Sequence, residues 1–127
     1  TVVRPAPDRA TRLDAGARTV LLRLLDHLQG GRLTIIEHDG TVTTHGDVVD
    51  PVDGGPLDPD VLDITVRLAT PAVWLEVARK ASAGLGETYV DGWWTTDDLP
   101  GLMRLLVRNR FAVAPLRWTM VITVTMP

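Results

Sequence analysis

The 127-residue chain contains no cysteine. Disulfide scaffolds and thiolate metal sites are therefore excluded, and nothing marks a small secreted, cross-linked domain. No apolar run approaches the ~20 residues that carry a helix across a bilayer. Positive charge is in deficit, with 13 Lys+Arg against 16 Asp+Glu. This balance argues against wholesale nucleic-acid binding, which needs a basic face. Serine occurs once, at Ser82, outside any Gly-x-Ser-x-Gly elbow, so a hydrolase nucleophile is not indicated. What remains is ordinary globular composition, 45% hydrophobic and 23% charged, in a chain long enough for one domain with a core.

The opening residues carry Pro5 and Pro7 and no apolar block, which is not a secretory signal; a disordered leader is predicted over 1–15. The first residue is Thr1, which suggests a fragment or processed product. Residues 17–29 place Val20, Leu21, Leu24, Leu25 and Leu28 at helical spacing, with Asp14 as a cap and Gly30-Gly31 as a stop. Residues 32–38 read as a strand, Asp39-Gly40 as a type I′ turn, and 41–45 as the returning strand. Residues 46–60 are a breaker-rich loop. In 61–69 Leu62, Ile64, Val66 and Leu68 alternate with Asp63, Thr65 and Arg67, the pattern of a half-buried strand in an antiparallel-type sheet.

Thr70-Pro71 opens a helix with Trp74, Val77, Ala78 and Ala81 on its buried face. Gly84 and Gly86 are expected to break or bend the chain after that helix. Asp97 is the predicted cap of a last helix whose apolar stripe is Leu99, Leu102, Met103 and Leu106, with Pro100 in its first turn. Within the tail 111–127, residues 118–126 look strand-like. The element order predicts an α+β fold, a small mostly antiparallel sheet with helices packed on it.

Most candidate chemistry is weak. His38 and His45 flank the hairpin, but two histidines leave a zinc shell short, and the nearby aspartates repeat every third residue rather than every second as a calcium loop requires. Glu87 and Asp91 would share a helix face as paired carboxylates, or serve only as a solvated group and a turn residue. Gly84-x-Gly86 lacks the third glycine and the preceding strand of a dinucleotide fingerprint. Trp93 and Trp94 admit two readings: core and sheet edge, or an indole at a membrane interface or acyl groove. Arg104, Arg108 and Arg110 suit either helix-end electrostatics or contact with lipid phosphates.

One stretch goes further. Residues 84–99, Gly-Leu-Gly-Glu-Thr-Tyr-Val-Asp-Gly-Trp-Trp-Thr-Thr-Asp-Asp-Leu, resemble the signature near the start of cyclopropane-fatty-acyl-phospholipid synthases and their fatty-acid methyltransferase relatives. The hairpin Gly-Arg-Leu-Thr-Ile-Ile-Glu-His-Asp-Gly, the strand-to-helix step Val-Arg-Leu-Ala-Thr-Pro-Ala-Val-Trp-Leu-Glu-Val-Ala-Arg and the segment Leu-Leu-Val-Arg-Asn are similar to family blocks as well, so the resemblance covers about residues 31–109.

The resemblance implies a small N-terminal domain of sterol-carrier-like fold, non-catalytic, spanning 16–110. In the family a second, Rossmann-like domain binds S-adenosylmethionine and modifies the double bond of an unsaturated phospholipid acyl chain. This chain holds no counterpart of that domain, so neither the cofactor nor any catalytic residue is carried over. Residues 111–127 depart from the family pattern, which suggests truncation or a frame shift. The implied partners are a phospholipid or membrane surface, the catalytic methyltransferase domain and a second subunit, in the cytoplasm or peripherally at the inner face of the membrane. Tyr89, Trp93 and Trp94 are the candidates for packing or lipid contact, and Arg104 and Arg108 for head groups. Two other readings stand beside this one: a free-standing lipid carrier with an internal apolar groove, and a pure assembly domain.

Overall fold

A computed structural model describes residues 3–7 and 9–110. Helix α1 spans Arg12–Leu25, strands β1 and β2 span Gly31–Ile36 and Val42–Gly46, and strand β3 spans Leu62–Leu68. Helices α2 (Ala72–Lys80) and α3 (Ser82–Val90) come next, then the short strand β4 (Trp94–Thr96) and helix α4 (Leu99–Arg108). The fold is α+β, with one four-stranded sheet in the order β2-β1-β3-β4. The outer ladders are antiparallel and the central β1–β3 ladder is parallel, so the sheet is mixed.

The parallel pair arises without a crossover helix. Gly46 at the end of β2 lies beside Arg32, and Leu62 at the start of β3 lies beside Gly31. The loop 47–61 therefore stays at one end of the sheet and delivers β3 in the direction of β1. Arg32 clamps that end, reaching Asp63 at 2.7 Å and Asp50 at 2.8 Å.

Register decides the core face. Leu33 pairs with Ile64, Ile35 with Val66, and Leu68 with Trp94, so these side chains share one face. All are buried, together with Ala17 and Leu21 of α1, Val73 and Trp74 of α2, and Leu102 and Leu105 of α4. The opposite face carries Arg32, Thr34, Ile36, Asp63, Thr65 and Arg67, each half-buried or exposed. The result is two layers, helices over one side of a sheet.

Several element ends differ from expectation for local reasons. Helix α1 begins at Arg12, inside the segment predicted as leader. Thr11 is its cap, accepting from the Asp14 amide at 3.1 Å, and the Asp14 carboxylate accepts from the Thr11 amide at 2.8 Å. Asp14 is thus the third residue of a capping box rather than the cap itself. The helix stops at Leu25 with Asp26 as C-cap, and two further tight turns carry Leu28 into the core before Gly30.

The hairpin turn is not type I′, which would need positive φ at two consecutive residues. Only Gly40 has it, at 89°, while the Gly40 amide donates to Glu37 O at 2.9 Å. This is a three-residue loop closed by a glycine in the left-handed region. His38 therefore sits in the turn.

Helix α3 runs straight through Gly84 and Gly86. Asp98, not Asp97, caps α4, accepting from the Gly101 amide at 2.9 Å; Asp97 accepts from the Thr65 amide instead. The stripe of α4 is also shifted by a residue: Leu105 is fully buried while Met103 faces outward. The expected tail strand lies outside the described residues.

Candidate functional site

The signature segment builds a corner where α2, α3 and β4 meet. Ala81 joins the two helices with φ 51°, and α3 then crosses α2 at Gly84. A Cβ on Gly84 would stand 2.2 Å from Glu76 O, so only glycine permits this approach. One turn on, Thr88 is completely buried, and its hydroxyl donates to Gly84 O at 2.7 Å. The Trp94 indole N–H reaches both Leu85 O and Thr88 Oγ1 at 3.0 Å. Gly92, with φ 76°, ends the helix and turns the chain into β4.

Both tryptophans are core residues, Trp93 at 5% and Trp94 at 2% exposure. Adjacent strand positions face opposite ways, which would leave one indole uncovered. The N-terminal segment supplies the cover. The Arg4 guanidinium lies 4.6 Å from the centre of the Trp93 ring, and the Trp93 indole N–H donates to Arg4 O at 3.0 Å. Tyr89 is 37% exposed and tilts against Trp94, with ring centres 4.9 Å apart.

The carboxylates of this corner are committed to cations. Arg4 Nε donates to Asp91 at 2.6 Å, and Arg4 also lies 3.5 Å from Glu76. Lys80 reaches Glu87 at 3.0 Å and Glu76 at 3.4 Å. The hydrogen bond from Arg4 holds the Asp91 carboxyl below its ordinary range, and Asp91 in turn raises the guanidinium. Glu87 raises the Lys80 ammonium. Glu87 and Asp91 therefore form two separate ion pairs rather than one acid–base pair.

Helix α4 presents the second set of candidates. Its inward positions are Gly101, Leu102, Leu105 and Asn109, and its outward ones are Met103, Arg104, Val107 and Arg108. Asn109 fastens the helix end to the α1–β1 loop, accepting from the Gln29 amide at 2.8 Å and donating to Gln29 O at 2.9 Å. Arg108 donates to Gly30 O at 2.9 Å, while Arg104 stands exposed. All acidic residues precede Leu99 in the sequence, whereas Arg104, Arg108 and Arg110 come after it. The outer face of α4 thus combines apolar and cationic groups.

The histidines do not converge. His45 is buried, with Nδ1 at 2.8 Å from Asp26 and Nε2 at 3.0 Å from Thr43 Oγ1, while His38 is exposed in the turn. Among the described residues no group of three or more His, Asp or Glu side chains is placed to hold a metal ion. A shallow depression of about 500 Å³ opens beside the α1–β1 loop, lined by Asp26, His27, Gln29, Arg108 and Asn109 among others. A second, of about 370 Å³, is lined in part by Arg18, Glu37 and Trp74. There Arg18 holds the buried Glu37 carboxylate through two hydrogen bonds, at 2.7 and 2.8 Å, and the Trp74 indole adds a third at 3.2 Å. The first depression presents charged and amide side chains, unlike an acyl groove, and the second mixes charged groups with Ala10, Ala15, Pro71 and Trp74.

Sequence reading missed Arg4, Glu76 and Lys80. Arg4 and Asp91 are 87 positions apart, and a lone arginine between valine and proline gives no signal of where it docks. A scan against protein-family models and searches of curated proteins and of solved structures find no match to this chain.

Proposed function

We propose that this chain is the non-catalytic N-terminal domain of a cyclopropane-fatty-acyl-phospholipid-synthase-like methyltransferase, and that it presents unsaturated phospholipid to a catalytic partner. The sterol-carrier-like relationship belongs to this proposal, supported by the helix-on-sheet layering and the family-like blocks along 31–109. S-adenosylmethionine and the chemistry at the double bond belong to the partner domain. This chain contributes a surface.

The observation that carries the reading is the outer face of α4. Met103 and Val107 are 39% and 60% exposed, and Arg104 and Arg108 flank them one turn apart. Apolar side chains between arginines suit the boundary between phosphates and acyl chains. No helix of the described residues is long and apolar enough to cross a membrane, so the contact in this reading is peripheral, at the inner face. Trp93 and Trp94 support the surface from inside the core rather than touching lipid, and Tyr89 is the aromatic left at the surface.

Co-sedimentation with vesicles tests this directly. The chain is expected to pellet with vesicles containing phosphatidylglycerol at low salt and to stay in solution with pure phosphatidylcholine. Raising the salt to about 1 M, where the Debye length is ~3 Å, should release it. Arg104→Glu with Val107→Glu should abolish pelleting while leaving the circular dichroism spectrum intact. Absence of pelleting by the unmodified chain at low salt sinks the reading.

A further inference from the structure

The N-terminal segment makes a set of contacts that belong to recognition more than to folding. Arg4 lays its guanidinium on the Trp93 ring while its edge meets Asp91 and Glu76. With Arg4 in place the two carboxylates are largely buried, with side chains 11% and 16% exposed, and they form an acidic slot beside an aromatic wall. A planar guanidinium fits such a slot better than a compact ammonium does, because it stacks and donates along one plane. Further along the segment, the Pro7 carbonyl accepts from the hydroxyl of the fully buried Thr70. Between these anchors Pro5, Ala6 and Pro7 are exposed. Among its described residues the segment buries no apolar side chain: Val3 is 53% exposed.

We propose that Asp91, Glu76, Trp93 and Thr70 form a binding site for an extended arginine-bearing segment of the type Arg-Pro-x-Pro, which the chain fills in cis with Arg4 to Pro7. Recognition uses the guanidinium in the slot, the arginine carbonyl on the Trp93 indole N–H, and the second proline carbonyl on Thr70. The prolines fix the segment in an extended form with few alternatives to lose on binding. The fit in cis is incomplete. Arg4 Nη2 is buried without a hydrogen-bond partner, and Glu76 Oε2 meets Arg4 and Lys80 only as long ion pairs, at 3.5 and 3.4 Å. An anchor held by polar contacts, with one guanidinium nitrogen orphaned and Glu76 only loosely engaged, exchanges for the same sequence supplied in trans. This inference stands apart from lipid presentation and survives its failure.

The test uses the full chain carrying Arg4→Ala, titrated with a synthetic peptide of residues 1–7. The variant should melt at a lower temperature than the unmodified chain. Millimolar peptide should raise its melting temperature and perturb its tryptophan emission. The unmodified chain, whose slot is filled, should respond several-fold less at the same concentration. A peptide with citrulline in place of arginine keeps the shape without the charge and should have no effect. Should Arg4→Ala fail to fold, Arg4→Lys retains the charge but not the planar fork and serves in the same titration. No response to the arginine peptide, or an equal response to the citrulline peptide, overturns the proposal.

Discussion

Gly84 and Gly86 stand two residues apart in α3 and are opposite cases. A Cβ on Gly84 runs into the Glu76 carbonyl, whereas a Cβ on Gly86 meets nothing within 4 Å. Neither has positive φ, so helix geometry itself admits alanine at both. Gly84→Ala must force α2 and α3 apart, and with them the Thr88 and Trp94 hydrogen bonds that the crossing sets up. It should cost about 1–3 kcal/mol, the usual range for overpacking. Gly86→Ala should instead stabilise by about 0.5–1 kcal/mol, through a less disordered unfolded chain and better helix propensity. Urea unfolding of the two variants side by side checks this. Equal midpoints would mean that the α2–α3 crossing is not tight at Gly84.

Helix α1 shows where local and distant determinants divide. Its start is wholly local: Thr11 and Asp14 satisfy each other's amides. Thr11→Ala should therefore cost about 1 kcal/mol, read as a drop in melting temperature without change in the helical spectrum. Strand β3 was legible for a similar reason, because period-two alternation on a half-buried strand is written in seven consecutive residues. The hairpin was legible in place but not in turn type, since Asp39-Gly40 serves two loop geometries and the φ of Asp39 decides between them. Helix α3 was hidden because two glycines weaken its intrinsic preference, and its helix is sustained by packing against α2 and Trp94. The stripe of α4 slipped by one position because Leu105 and Leu106 are adjacent, and only the sheet beneath selects which lies deeper. The candidate site divides likewise. The sequence singled out Trp93, Trp94 and the α4 arginines. It also offered Asp91, but it carried no trace of Arg4 and Glu76 meeting Asp91 and Trp93, because the parts of that slot come from three separated segments.

Three aspartates pin the connections that hold the layers in place. Asp39 closes the hairpin turn by accepting from the Thr41 amide, Asp63 holds Arg32 at the end of the sheet, and Asp91 holds the N-terminal segment. Each has its carboxyl held below the ordinary range: Asp39 by the Thr41 amide, Asp63 by Arg32 and Asp91 by Arg4. A depressed folded-state value means that the unfolded chain takes up the proton first. The stabilisation is therefore complete above the unfolded value, ~3.9 for aspartate, and is lost as pH falls through the lower folded values. The partner arginines, whose values are raised, impose no loss across the neutral range. Urea midpoints should accordingly be flat from about pH 7 to 5 and decline below pH ~4. Asp63→Asn should lower the midpoint at neutral pH and make the acid decline shallower. The effect should stay below about 1 kcal/mol, because Asp63 remains 40% exposed and solvent screens the pair. The loop 47–61 meets β3 where Asp63 grips Arg32, so the variant should also speed proteolysis within that loop while leaving α4 protected. A decline as steep as that of the unmodified chain would show that Asp63 does not carry its share, and that acid acts through the other two connections.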